Sequence, residues 1–340
     1  MSGRKKRIFY QVFTIVLWLA AFAAMILMWW GTKYWLLLAV AGAFILFPVN
    51  VLVHELGHLL VGACAGMRFS AFRVGNLTVC KRDGKFRIRY ADSNLTAGET
   101  AFAPKSPRHM RARFLLTALG GAVFNFAYAA VMLALFFILP HHPALLFFEL
   151  FAPLSLYEGI SALIPVELPA GKTDGAVVFG LLKKRPDELV SLAVLTAQGM
   201  LQKGSYRDIP RELLFDTPVV REDSTSFLAL LQLRWQYLFV TDGEGALMPI
   251  LRLASLYEEL PVTAQAEVAG ELAYVYSVLS PDEEQAARFA SDVKAGFWKA
   301  LLTATDADGA AQKEAKSLAA AEPALGVREY KEKLLAALAK

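Results

Sequence analysis

His54-Glu55-Leu56-Gly57-His58 puts two imidazoles and a carboxylate within five residues. On a helix, positions i and i+4 share one face, so His54 and His58 can hold one zinc ion with Glu55 beside them. A carboxylate in that place can take a proton from water activated at the metal. The segment lies in an apolar run from Tyr34 to about Met67 that no other charged residue interrupts. Ionisable groups in such a run are expensive and need a function. That cost also disfavours the bland alternative, a pair of histidines that merely hydrogen-bond neighbouring helices.

Two histidines leave a tetrahedral zinc incomplete, and a catalytic site needs a third protein ligand plus an open position. Asp174, in Gly171-Lys172-Thr173-Asp174-Gly175, is the candidate, lying between a helix break and a short apolar segment. Glu149, Glu158 and Glu167 compete with it, although Glu149 falls toward the outer end of its span. A third element is Gly120-Gly121-Ala122-Val123-Phe124-Asn125. The glycines permit close helix packing, and the Asn125 amide needs a partner, either another helix or a substrate backbone.

The elements that would carry these residues are apolar helices. Of the 340 residues, 56% are hydrophobic and only 19% charged, with a mean hydropathy of +0.41. That excludes a disordered chain, a disulfide-rich mini-protein and an ordinary single soluble domain. Residues 1–174 carry 17 Lys+Arg against 8 Asp+Glu, and residues 175–340 carry 18 against 23. A basic membrane half and an acidic soluble half explain this better than nucleic-acid binding, for which no motif is present. Cys64 and Cys80 do not make a disulfide framework and are expected to be buried free thiols.

After Arg4-Lys5-Lys6-Arg7 an uncharged stretch reaches about Trp30, long enough to cross a bilayer and too long for a signal peptide. The second span contains His54 and is kinked at Pro48. A basic segment, 68–113, includes alternation over Val79–Tyr90 around Asp83-Gly84, the pattern of a β-hairpin. A third span follows at about Phe114–Leu139. An uncharged loop containing the solvated His141 and His142 leads to a fourth span near Leu145–Ile164. The positive-inside rule places residues 1–7, 68–113 and 183–185 in the cytosol. The expectation is therefore a mainly α, polytopic membrane protein with four spans and both termini cytosolic. A bacterial inner membrane or a plasma membrane would be its location. His54, His58, Asn125 and Asp174 all fall roughly 14–21 Å from a basic cytosolic boundary, as parts of one site would.

From Pro186 onward the chain reads as soluble helices. Turn marks at Gly204, Gly243 and Asp282 are evenly spaced, with helices expected at 186–202, 205–215, 225–240, 244–260, 263–279 and 282–297. Stacked hairpins of the tetratricopeptide kind and a plain helical bundle both fit. The organisation is a first span at 1–33, a membrane core at 34–185 and a cytosolic helical domain at 186–340.

These residues resemble the site-2 protease family of intramembrane zinc metallopeptidases. His54, Glu55 and His58 match its His-Glu-x-x-His helix, Gly121 and Asn125 its Gly-x-x-x-Asn helix, and Asp174-Gly175 its later Asp-Gly. Ala122 stands where the family usually has proline, and Ala162-Leu163-Ile164-Pro165 lacks the usual asparagine. The hairpin at 79–90 resembles the β-element that follows the first core helix. The resemblance covers about residues 34–185. It implies one zinc held by His54, His58 and Asp174, Glu55 as general base, and Gly121 and Asn125 at the substrate. The expected activity is endoproteolysis of transmembrane or membrane-anchored peptides near the cytosolic face. The hairpin's edge would align the substrate, and the C-terminal domain would take a protein partner. A competing reading is a non-proteolytic membrane scaffold with a relic or structural zinc site. A third is a membrane-anchored peptidase acting on soluble peptides.

The charge pattern makes a topological prediction. Reporter fusions at His142 and at the C-terminus should report opposite sides of the membrane, and the same side for both contradicts four spans.

Overall fold

The computed structural model describes residues 3–28, 30, 35–82, 85–90, 98–139, 151–168, 171–260, 262–293, 295–304 and 309–338. His141, His142, Glu149, the Asp83-Gly84 turn and residues 145–150 of the expected fourth span lie outside them. The chain divides into two units. The first comprises residues 1–80, 88–102 and 111–183, and the second 81–87, 103–110 and 184–340.

The first unit is built on apolar helices: α1 (Gly3–Met28), α2 (Trp35–Cys64) and α3 (Met110–Ile138), followed by the shorter α4 (Phe151–Leu163) and α5 (Asp174–Lys183). Among the described residues, Lys6–Met28 and Met110–Ile138 are long and apolar enough to cross a membrane. Large apolar side chains stand exposed along both, including Phe9, Val12, Ile15 and Val16 on α1 and Leu116, Val123 and Phe137 on α3. Helices coated in this way need a lipid solvent rather than water. Pro48 lies inside α2. Asn50, buried on that helix, accepts a hydrogen bond from the buried Ser155 hydroxyl of α4 at 2.5 Å. Cys80 is buried as expected, but Cys64 is exposed. It ends α2, where the chain turns at Gly66 with φ of 82°.

The expected hairpin is one half of a larger sheet. Strands β1 (Met67–Val74), β2 (Leu77–Arg82), β3 (Lys85–Tyr90) and β4 (Gly98–Pro104) lie in the order β3-β2-β1-β4. β1 and β2 are antiparallel, with Ala71 opposite Cys80 and Val74 opposite Leu77. β1 is half-buried along most of its length, although its sequence alternates apolar and polar residues from Met67 to Ala71. Past α4, Glu167–Leu168 (β5) pairs with Gly171–Lys172 (β6) in a minimal hairpin that delivers the chain to Asp174.

The helices of the second unit include α6 (Pro186–Met200), α7 (Arg211–Phe215), α8 (Thr225–Thr241), α9 (Leu247–Ser255), α10 (Val262–Tyr274) and α11 (Glu283–Ala290). They continue with α12 (Phe297–Ala304), α13 (Gly309–Ala320) and α14 (Leu325–Leu338). Helix ends fall near the expected marks, with Asp242 in the left-handed conformation and Asp282 capping α11. Nothing here supports a tetratricopeptide array. The three expected hairpins pair first helices of 15, 17 and 13 residues with partners of 5, 9 and 8. One core also runs from α6 to α14, whereas a solenoid repeat touches only its neighbours.

At the centre of that core, the Trp235 indole donates to the Tyr330 hydroxyl at 3.0 Å. Tyr330 in turn donates to Glu271 Oε1 at 3.2 Å. Gln236 also donates to Glu271 Oε1, at 2.6 Å, and accepts from Tyr206 at 2.7 Å. Glu271 is 1% exposed, and its second oxygen has no partner. Burial pushes its carboxyl up to about 8, reinforced by the charge of Glu267 and offset by the hydrogen bond from Gln236. Between the ordinary carboxylate value and about 8 the folded domain keeps a proton that the unfolded chain releases, so stability falls as pH rises through that window. Thermal unfolding of the whole protein in detergent should show the helical domain melting several degrees lower at pH 8 than at pH 5. Glu271→Gln should flatten this dependence, and an unchanged slope contradicts the assignment.

Candidate metal centre

The site begins with a backbone contact between α2 and α3. A Cβ on Gly57 would lie 2.4 Å from the Gly120 carbonyl oxygen, and one on Gly120 would lie 2.7 Å from that of Gly57. Only glycine at both positions lets the helices touch main chain to main chain. Gly62, one turn on, packs against the Phe102 ring and the Thr117 methyl. At this separation the Thr117 carbonyl comes within 2.7 Å of His58 Nδ1. That carbonyl is the acceptor, so Nδ1 carries the proton and Nε2 keeps a lone pair in the neutral ring.

The His58 lone pair points at two other electron-rich atoms. His58 Nε2 lies 3.1 Å from His54 Nε2 and 3.3 Å from Asp174 Oδ2, while His54 Nε2 is 2.9 Å from Asp174 Oδ2. All three residues sit in the apolar unit, with His54 and His58 buried. Neighbouring ligand atoms around a tetrahedral zinc with bonds of about 2.0–2.1 Å are separated by about 3.3 Å. The triangle is slightly tighter than that and has the shape of one face of such a tetrahedron. A single shared proton can bridge only one of its edges, whereas a divalent cation satisfies all three corners. The donor set, two imidazoles and one carboxylate, suits zinc. These residues therefore fit the metal.

Asp174 reaches the triangle because its neighbours fix it. Thr173 caps α5: its hydroxyl accepts from the Ala176 N–H at 3.3 Å and donates to the Ile164 carbonyl at 2.6 Å. Gly175 packs so closely on the end of α4 that a Cβ would lie 1.9 Å from the Leu163 carbonyl oxygen. The glycine thus serves this helix contact rather than an approach to the metal. At the other end of α5, the Arg111 guanidinium of α3 donates to the Leu181 carbonyl at 2.8 Å. Glu158 and Glu167 are not in the metal-sized cluster. Glu167 is on β5 at the surface, and one Glu158 oxygen is buried without a partner.

Glu55 is 6% exposed and accepts a hydrogen bond from the Thr100 hydroxyl of β4 at 2.5 Å. Gly121 lies over the imidazoles, where a Cβ would come within 2.5 Å of His54 Nε2 and 2.6 Å of His58 Nε2. Asn125 is fully buried with both amide atoms unpartnered, and Gly159 of α4 packs against its Cβ. It belongs to the α3–α4 contact and makes no hydrogen bond to the cluster. The reading of motifs missed Thr100, Thr117, Thr173 and Gly57. Thr173 carried a usable signal, a threonine cap immediately before an Asp-Gly helix start.

The geometry predicts metal content. Asp174→Asn should lower zinc affinity, and Gly121→Ala should cost about 10–100-fold by pushing a methyl group against both Nε2 atoms. Glu158→Gln and Glu167→Gln should leave it unchanged. Chelator competition on the purified proteins measures this, and loss of zinc in either glutamate variant with retention in Asp174→Asn would name a different ligand.

A family model described as Peptidase family M50 matches residues 42–317, well over half of the chain. Comparison with curated proteins and with solved structures finds no match. The matched region takes in every residue of the triangle, the general-base candidate beside it and most of the helical domain. On that match the chain belongs to peptidase family M50, the site-2 protease family of membrane-embedded zinc metallopeptidases.

Proposed function

We propose that the protein is an intramembrane endopeptidase that cuts transmembrane or membrane-anchored peptides near the cytosolic face. The observation that carries this reading is the convergence of His54, His58 and Asp174 inside an apolar unit, with the buried Glu55 next to His54 in the chain. A structural zinc needs no base, so Glu55 favours an enzyme over a scaffold.

His54, His58 and Asp174 would hold the zinc, which when bound supplies Lewis acidity toward a peptide carbonyl and a water. Glu55 then takes the proton of the attacking water at a carboxylate oxygen. As the carbon–nitrogen bond breaks, it passes that proton to the leaving amine, which restores the carboxylate. Thr117 keeps His58 in the tautomer with Nε2 free. Gly121 leaves the space above the imidazoles open, and Asn125 would engage an unwound substrate backbone once α4 gives way.

Among the described residues β3 and β4 are the edges of the sheet, and β4 is the one that touches Glu55. An extended substrate would therefore pair with β4 by strand addition, rather than with the expected edge at Lys85–Tyr90. The same reading takes the chain as four spans with cytosolic termini, and the C-terminal helical domain as the site of a protein partner.

The direct test is comparative membrane proteomics of cells carrying wild-type protein or Glu55→Gln. Loss of the base should slow turnover about 10²–10⁴-fold. Single-span or signal-peptide-like species should accumulate in the variant while zinc stays bound. Identical membrane proteomes, with zinc bound in both, would instead support the scaffold.

A further inference from the structure

Two residues of β4 enclose the Glu55 carboxylate from one side. Thr100 Oγ1 donates to Glu55 Oε2 at 2.5 Å and also lies 3.4 Å from the Glu55 carbonyl oxygen. Gly98 lies against the other oxygen, where a Cβ would come within 2.3 Å of Oε1 and 2.6 Å of Cγ. Residues 98 and 100 are two apart on a strand and so share a face. The residue between them, Glu99, pairs with the buried Arg73 of β1 at 3.1 Å, which anchors β4 to the sheet. The sheet thus presents one hydroxyl and one vacancy for a side chain to a carboxylate on a separate helix. Neither is needed for metal binding, because the triangle is built from α2 and α5 with support from α3.

We propose that Thr100 is the positioning residue of the Glu55 general base, with Gly98 supplying the space in which the carboxylate is held. This rests on the peptidase reading above. The hydrogen bond at Oε2 and the close approach of Gly98 at Oε1 together fix the carboxylate plane. A glutamate side chain has three torsions, and an unsupported carboxylate would sample orientations that miss the reacting proton. A displacement of about 1 Å in a catalytic group can cost on the order of 10²-fold in rate. The hydroxyl comes from the strand whose free edge would receive substrate, so one element would set both substrate register and base orientation.

The test uses full-length protein in detergent and, as substrate, a single-span peptide drawn from the species that accumulate with Glu55→Gln. Thr100→Val keeps the shape and β-propensity but removes the hydroxyl. It should lower kcat about 10–100-fold with KM and zinc content unchanged. Thr100→Ser should restore most of the rate. Gly98→Ala, with the hydroxyl intact, should lower kcat in the same way. In the Glu55→Gln background Thr100→Val should add nothing, because the two residues act as a unit. Wild-type kcat in both Thr100→Val and Gly98→Ala overturns the proposal. So does a Thr100→Ser protein as impaired as Thr100→Val, or zinc lost in step with rate in both β4 variants. Failure of the wild-type protein to cleave that peptide overturns the peptidase reading itself, and the role of Thr100 falls with it.

Discussion

The main-chain contact of Gly57 with Gly120 is the constraint on which the rest of the site depends. In lipid no hydrophobic force drives helices together, so close packing of small residues must do it. With a side chain at either position α2 and α3 would separate, since a Cβ would fall 2.4–2.7 Å from a carbonyl oxygen. At the observed separation a single helix, α3, acts on every corner of the triangle. Its Thr117 carbonyl fixes the His58 ring, and Gly121 leaves room at both Nε2 atoms. Its Arg111 holds the C-terminal end of the helix that begins with Asp174.

The polar groups of the apolar unit divide into two kinds. Thr117 and Thr100 are spent on orientation, each turning a ring or a carboxylate with one short hydrogen bond, while Thr173 ties the start of α5 to the Ile164 carbonyl just past α4. Asn125 and one oxygen of Glu158 are instead buried without partners, which is costly inside a membrane protein. Both lie at the α3–α4 contact or on α4 itself.

Much of this was legible in the sequence where the signal is local. His54 and His58 share a helix face by spacing alone, and Asp174 stood out as an acidic residue between a helix break and a short apolar segment, at the right depth. The supporting contacts were not legible, for identifiable reasons. Thr117 acts through a carbonyl, which every residue has. Thr100 and Glu55 are far apart in sequence, and β4 carries no strong strand pattern. The glycine beside Asp174 was visible, but its purpose was not, because its neighbour is the backbone at Leu163. In the C-terminal domain the turn marks located helix ends, yet even spacing does not say which helices pack together. The long-range bonds of Tyr330 to Trp235 and Glu271 show one core rather than a repeat. Cys64 was misjudged because an apolar helix does not reveal which of its residues face a neighbour.

The central claim is the composition of the metal's ligand set, and X-ray absorption at the zinc edge of the purified wild-type protein tests it most directly. The account predicts a first shell of nitrogen and oxygen only, at about 2.0–2.2 Å, with multiple scattering from two imidazoles and no sulfur. A zinc–sulfur distance near 2.3 Å, or scattering from fewer than two imidazoles, would contradict it.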